Sequence, residues 1–404
     1  MMKPKGKRKK GKQFGKLILV ILLLLGTFSF AMFQGGFVSW FIFFVILPFL
    51  LYTILLQFVP VRITNVKRTI SPDFVTRGSK VKVHVTFQNK TFFPLLFLTV
   101  REKMNTADLD VHMEGKSQNL FLVFFKRHFE WEYELRNIPR GEFHFEGLEV
   151  VVTDFFGWME REIFVSKHDL MLVYPKVTDI EKAQINLHYD HGNTNVTRSL
   201  VKDTTIATGV RKYESGDRFS WIHWKSFAKS GELKTKEFED IQAQNVVVYL
   251  DRSNQADFES VVDLCASLLK AGVHFGSDIS FFTSGQERKL YPLIRSESQL
   301  DRVMQYLAVT QMDPFTSHIE HAIRSEQQLV SRSIVFILTS RVDESLELLL
   351  LSGSKLARAI IVFVVVSEES YPHVDRSKRY PGQNNIIYLT EAMFSQALLE
   401  VGNR

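Results

Sequence analysis

The chain has one cysteine, Cys265, among 404 residues. A single thiol excludes an intrachain disulfide framework and fits a reducing compartment. Several catalytic signatures are also missing. There is no Gly-x-x-x-x-Gly-Lys-Ser/Thr phosphate loop, no Gly-x-Ser-x-Gly elbow, no His-Glu-x-x-His helix and no Cys-x-x-Cys pair. Acidic residues are absent from positions 1–16, which hold eight basic ones (Lys3, Lys5, Lys7, Arg8, Lys9, Lys10, Lys12 and Lys16). The formal net charge of +6 therefore belongs to that stretch, and residues 17–404 carry −2. Outside it, Lys and Arg are not clustered with stacking aromatics, so no nucleic-acid partner is expected. Internal repeats are absent, and a hydrophobic content of 45% excludes wholesale disorder. The length accommodates two or three domains.

Two uncharged apolar runs follow the basic stretch, Leu17 to Phe33 and Phe37 to Val59. At a rise of ~1.5 Å per residue such runs match a hydrocarbon core of ~30 Å. Gln34-Gly35-Gly36 suffices for the tip of a helical hairpin, and membrane helices tolerate a proline such as Pro48. Basic flanks, including Arg62, Lys67 and Arg68, predict that both ends stay inside a cell membrane and that residues 60–404 face the cytoplasm. A secretory signal also starts with a basic region and an apolar stretch, but here the first run is long and a second span follows at once.

Residues 60–180 predict a small antiparallel β-sandwich. Val81–Phe87, Leu95–Val100, Asn119–Phe125, His128–Leu135 and Glu142–Val152 are rich in Phe, Val, Tyr and Trp, and turn signals separate them. The many phenylalanines are expected to fill the core. Residues 181–240 form a connector. Residues 241–404 alternate strands (Val246–Leu250, Ile279–Phe282, Ser333–Thr339, Ile360–Val366, Asn385–Leu389) with helices (Asp257–Ala271, Gln299–Leu307, Ser317–Leu329, Glu344–Ala359, Glu391–Val401). That order predicts a doubly wound, mostly parallel α/β sheet, whose ligands sit at the carboxyl ends of strands, at Asp251-Arg252-Ser253 and Thr339-Ser340-Arg341. Cys265 falls on a predicted helix as a packing residue.

The connector is dense in functional side chains: Gly209-Val210-Arg211, Tyr213, Glu214, Gly216-Asp217, Ile222-His223-Trp224-Lys225. With Arg140-Gly141, Asp154-Phe155-Phe156-Gly157 and Val173-Tyr174-Pro175, this stretch resembles the domain of unknown function 58 family of bacterial membrane-anchored proteins. The sequence departs from that pattern at Ser220, where Arg is usual, and at Ala228-Lys229, where Ala-Arg is common. Three readings of the connector stand side by side. Its glycines turn the chain while its tryptophans pack and Arg211 pairs with Asp217. Or Arg211, His223 and Lys225 hold an anionic group or acidic partner loop. Or Glu214 or Asp217 pairs with His223 for acid–base chemistry.

The resemblance implies a C-terminal domain similar to a von Willebrand factor A domain, which often holds Mg²⁺ on an Asp-x-Ser-x-Ser loop with a distant Thr and Asp. Here Asp251 and Ser253 match, Gln255 replaces the second Ser, Thr316 is the candidate distant Thr, and Ser340 stands where the Asp is expected. The expectation is a degenerate site without a required cofactor. His188 and His191 form another possible ligand cluster, which a polar loop explains more simply. The resemblance further implies a non-enzymatic scaffold or adaptor working with a MoxR-type AAA+ ATPase and with a transglutaminase-like membrane protein. The alternatives are an Mg²⁺-dependent binding module and an enzyme using the connector.

Overall fold

The structure, a computed structural model, describes residues 6–105, 113–114, 118–181, 207–214, 222–238, 245–253, 257–286, 288–313, 319–331, 333–352, 356–374 and 384–402. The chain divides into two compact units, Met1–Val173 and Tyr174–Arg404.

The first unit opens with helices α1 (Gly6–Gln34) and α2 (Gly36–Phe58). Each contains a stretch long and apolar enough to cross a membrane, Gln13–Gln34 and Gly36–Phe58, which suggests membrane association. Gly35 (φ 59°) and Gly36 (φ 80°) make the reversal, in a region where a side chain is strained. The helices then pack through Phe28, whose ring lies 6.4 Å from Trp40 and 5.7 Å from Phe43. The basic stretch joins this first helix from Gly6 onward.

Among the described residues nine strands follow: β1 (Ile63–Ser71), β2 (Val75–Thr76), β3 (Val81–Asn89), β4 (Leu95–Met104), β5 (Met113–Glu114), β6 (Gln118–Phe124), β7 (His128–Leu135), β8 (Gly141–Thr153) and β9 (Glu160–Tyr174). They form two antiparallel sheets, ordered β1-β3-β7-β5 and β2-β9-β8-β4-β6. Period-two patterning explains the pairing. Along β3, Val81, Val83, Val85 and Phe87 are buried while Lys82 is exposed. One buried cluster joins both sheets, with Val85, Phe87 and Trp131 from the first and Leu98, Val100 and Phe145 from the second. All five strands expected here are present. Strands β1 and β9 were not expected, because charges interrupt them; only Met171 and Val173 of β9 are buried. The phenylalanines depart from expectation too. Phe87, Phe129, Phe143 and Phe145 are core, but Phe92, Phe124, Phe125, Phe155, Phe156 and Phe164 are exposed.

A charged cluster crosses the core of this unit. Arg68 on β1 reaches Glu102 on β4 (Nη2 to Oε2, 2.8 Å) and Asp169 on β9. Its guanidinium stacks 4.5 Å from the Phe145 ring centre. The Arg68 and Glu102 side chains are 1% and 0% exposed, so the pair is desolvated on both sides. Burial, opposed by Arg68, raises the Glu102 carboxyl above the usual range. Burial likewise pushes the Tyr133 hydroxyl well up.

The second unit begins with a small antiparallel pair, β10 (Ala207–Lys212) and β11 (Lys234–Phe238), enclosing the short helix α3 (Trp224–Ser230). Its main sheet has order β14-β13-β12-β15-β16-β17 and is built from β12 (Val246–Leu250), β13 (Ile279–Thr283), β14 (Lys289–Ile294), β15 (Ile334–Thr339), β16 (Ala359–Val365) and β17 (Asn385–Leu389). All neighbours are parallel except the edge strand β14. Helices α4 (Phe258–His274), α5 (Glu297–Val309) and α9 (Ala397–Gly402) share a buried cluster with Val246, Val248 and Leu250. Helices α6 (Ile319–Ser325), α7 (Gln327–Val330) and α8 (Glu344–Ser352) join a second cluster with Val247 and Tyr249. Alternate residues of one strand thus feed opposite faces, as a sheet covered on both sides requires.

Three expectations change here. Strand β14 was missed, Pro292 within it being tolerated at a sheet edge. The helix expected over 317–329 is broken at Glu326 among its described residues. The helix expected over 344–359 is described over Glu344–Ser352; residues 356–358 are not helical, and Ala359 already opens the fully buried β16.

Candidate functional site

Strands β12 and β15 end side by side, and each turns polar at its carboxyl end. Asp251 follows the all-buried Val246–Leu250 and is itself only 6% exposed. Its Oδ1 accepts from the Ser253 amide at 2.9 Å. Its Oδ2 accepts from the Thr339 hydroxyl at 2.8 Å. Thr339 Oγ1 in turn accepts from the Arg341 amide at 3.2 Å. Burial, and then the Asp251 charge, push the Tyr249 hydroxyl well above its ordinary range, and Ser284 bonds it at 2.6 Å.

Arg252 points the other way. Its Nε donates to the Gln311 carbonyl at 2.9 Å, and its own carbonyl accepts from the Asp313 amide at 2.9 Å. Buried Asp313 accepts from the Gln286 amide at 2.7 Å. Gly285 makes this approach possible. A Cβ there would lie 2.4 Å from Asp313 Oδ2 and 3.4 Å from Arg252 Nη1.

The structure therefore joins the predicted Asp251 and Ser253, while Thr316 lies outside the described residues. Sequence reasoning reached the Thr339 loop but did not pair Thr339 with Asp251, and it missed Asp313. A visible signal existed for Thr339, which is the first polar residue after a buried run. The donor set suits a hard cation poorly. Each Asp251 oxygen already accepts one protein hydrogen bond, and Ser340 supplies no charge where a second carboxylate is expected. Among the described residues no group of three or more His, Cys, Asp or Glu side chains is placed to hold a metal.

The connector residues form a compact element of their own. His223 caps α3, its Nδ1 accepting from the Ser226 amide at 3.2 Å, and Gly231 closes the helix in the left-handed region. The His223 amide donates to Lys234 O at 2.8 Å and the Tyr213 amide to Leu233 O at 3.1 Å, stitching the element to β11 and the turn before it. Arg211 donates to Lys212 O at 3.1 Å and pairs with Glu214 at 3.8 Å. Lys225 is exposed. Trp224 is 60% exposed, so it is no core residue of its unit; its ring lies edge-on to Phe227 at 6.3 Å. Gly216, Asp217, His188 and His191 lie outside the described residues, so the expected Arg211–Asp217 pairing does too. Cys265 is wholly buried in α4, and burial pushes its thiol well up, which makes it a poor nucleophile.

Residues 209–378 match the family described as "Protein of unknown function DUF58". The chain is 32% identical over 299 residues to the uncharacterised protein YeaD of Bacillus subtilis (strain 168), covering 74% of this chain and 75% of that one. Among solved structures, the VWA domain of SpRpn10 aligns with a TM-score of 0.29 and 12% identity, over 40% of this chain and 97% of that one. The CARDB domain of a Pyrococcus furiosus protein aligns with a TM-score of 0.20 and 13% identity, over 28% and 88%. The motif residues on the β10–α3–β11 element, the family match that begins at Gly209 and the identity shared with YeaD agree: the chain belongs to the DUF58 family.

Proposed function

We propose that this chain is a non-enzymatic, membrane-anchored scaffold or adaptor whose second unit docks a partner protein. The supporting observation is the apolar surface of the family-matched element: Trp224 and Phe227 on α3, with Val210 and Leu233 nearby in the chain's turns and strand, are all exposed. The Trp224 and Phe227 rings lie 6.3 Å apart, and an exposed tryptophan is the residue type that dominates protein interfaces. Two antiparallel sheets around one core support a β-sandwich for the first unit. A mostly parallel sheet covered on both faces supports a doubly wound, von Willebrand factor A-like second unit. The hairpin is the anchor in a bacterial cell membrane, with both units on the cytoplasmic side.

The partner class that the family resemblance implies is a MoxR-type AAA+ ATPase, with a transglutaminase-like membrane protein as a further candidate. Crosslinking in membranes under ATP-trapping conditions, followed by purification, should recover the ATPase with the native chain. Trp224→Ala should lose most of that recovery while changing stability by less than about 0.5 kcal/mol, as expected of a surface change. Equal recovery with Trp224→Ala, or no ATPase at all, overturns this reading.

A second reading, docking through Mg²⁺, draws on the clustering of Asp251, Ser253 and Thr339. Because the described donors carry a single carboxylate, calorimetry with Mg²⁺ or Mn²⁺ on the detergent-solubilised chain should show no saturable heat. A saturable heat that Asp251→Ala abolishes would establish the cation-dependent reading instead.

A further inference from the structure

The exposed phenylalanines of the first unit are not scattered. Strands β3, β6 and β8 end, and β4, β7 and β9 begin, at one end of the two sheets, since Asn89 pairs with Ile63, Leu95 with Phe124 and Thr153 with Glu160. Three turns close that end: 90–94, 125–127 and 154–159. Phe92 lies on the first, Phe125 on the second, and Phe155, Phe156 and Trp158 on the third. Phe92 is fully exposed, and Phe125 is 80% exposed.

The same end is fastened to the last part of α2. Phe49 packs on Phe155 and Phe156 at 5.2 and 5.8 Å. Tyr52 stacks on Phe93 at 5.3 Å and donates to Pro94 O at 3.1 Å. Phe49 stands nine residues before Phe58, the last residue of the helix. At ~1.5 Å per residue that is about 13 Å inside the apolar segment. A turn resting on Phe49 therefore lies at a depth that α2 occupies as hydrocarbon-compatible sequence.

Polar groups in these turns are arranged for such a place. Asp154 is the one acid in the third turn, and it is 1% exposed. It points inward, accepting from the Thr53 hydroxyl at 2.8 Å and from the Met159 amide at 3.0 Å. Outward-facing positions 155, 156 and 158 are all aromatic. Charge resumes at Glu160 and Arg161. Arg161 donates to Gln57 O at 3.1 Å and to Val59 O, satisfying carbonyls that the end of a helix leaves open. Gln13, the first residue of the apolar part of α1, donates to Glu160 O at 2.6 Å, so the start of one helix and the end of the other share this level. Exposed Arg62, Lys90, Lys126 and Arg127 stand at the same end.

We propose that this end of the first unit is a bilayer-docking surface, with the turns at 90–94, 125–127 and 154–159 seated in the lipid interface beside the hairpin. Aromatic rings favour that zone, and the basic residues suit anionic headgroups. Interfacial elements bury apolar faces by ~5–10 Å, and the Phe49 contact, about 13 Å along α2, marks the deepest point these turns reach. The inference rests on the hairpin being a membrane anchor, and it adds that the β unit is held against the membrane surface rather than tethered above it.

The experiment uses the full chain in liposomes containing anionic lipid, in a Cys265→Ala background. Single cysteines replace Phe92, Phe125 or Phe156 and carry a spin label. Phe41→Cys reports the hairpin, and Lys80→Cys, exposed near the opposite end of the sheets, reports water. Collision of each label is compared between oxygen, which enters lipid, and a water-soluble nickel complex. At positions 92, 125 and 156 the oxygen-to-nickel ratio should exceed that at 80 severalfold. If those three match position 80 while position 41 is lipid-buried, the docking surface is overturned and the anchor stands. If position 41 is itself water-accessible, the anchor reading and this inference fall together.

Discussion

Replacing Arg68 with methionine lowers the stability of the first unit by about 3–5 kcal/mol at neutral pH, the cost of removing one partner from a buried ion pair. The loss arises because Glu102, whose side chain is wholly buried, is left without a counter-charge and must bear an unpaired charge or take up a proton. Its sign with pH follows from the carboxyl itself. Burial raises the Glu102 pKa, and the Arg68 charge and hydrogen bonds pull it back down. Without Arg68 the folded-state value rises further above the unfolded one. A carboxyl raised in this way contributes stability that is full below the unfolded pKa and lost as pH rises through the folded one. The Arg68→Met deficit is therefore largest at neutral pH and shrinks on acidification. Adding Glu102→Gln should recover most of it at neutral pH, since the unpaired charge is gone. Hydrogen exchange in β1, β4 and β9 over a denaturant series compares both variants with the native chain. A deficit below about 1 kcal/mol, or one that does not change with pH, would show that the cluster is not a desolvated pair.

Gly147→Ala is the second large effect, and its cause is backbone geometry. Gly147 lies at φ 152° where the β8–β9 register shifts. A Cβ there would meet Val165 O at 2.2 Å and Lys167 N at 3.1 Å. Neither atom belongs to a side chain that can swing aside, so the two strands must part. Backbone strain and overpacking together predict a loss of about 2–6 kcal/mol. Exchange should quicken first along β8 and β9. Gly26→Ala is the matching control, because a Cβ on that residue of α1 meets nothing within 4 Å. Equal stability of the two variants would mean that the bulge accommodates a side chain.

Neither position announces itself in the sequence. Arg68 looks like one more basic residue beside a membrane helix, since its partners Glu102 and Asp169 lie 34 and 101 positions away. What was legible depended on local pattern. The alternation in Val81–Phe87 and the unbroken apolar runs of β12, β15 and β16 declared both sheets. Strand β9 did not, because its outward positions include Glu160, Glu162, Ser166 and His168, and its inward ones include Arg161, Lys167 and Asp169, most of them only half buried. Asp251 and Ser253 were visible as the first polar residues past a buried strand. Asp313 was not, as its link to Arg252 and Gln286 is made by tertiary folding alone. The aromatic turns were misjudged for a related reason. Composition marks a phenylalanine as apolar without saying whether protein or lipid covers it.

The tip of the hairpin bears on how an anchor of the proposed kind would enter a membrane. The two helices are separated by Gly35 alone, whose amide donates to Ala31 O at 3.2 Å, and the Ser39 hydroxyl donates to Gly35 O and lies 3.2 Å from Gly36 O. The reversal thus meets part of its own backbone demand without water. No charged loop stands between the spans. On the anchor reading proposed above, inserting both helices together as a closed hairpin would carry only a few small polar groups across the hydrocarbon. Such an insertion would be driven by burying apolar helices and would need no hydrophilic segment to be translocated.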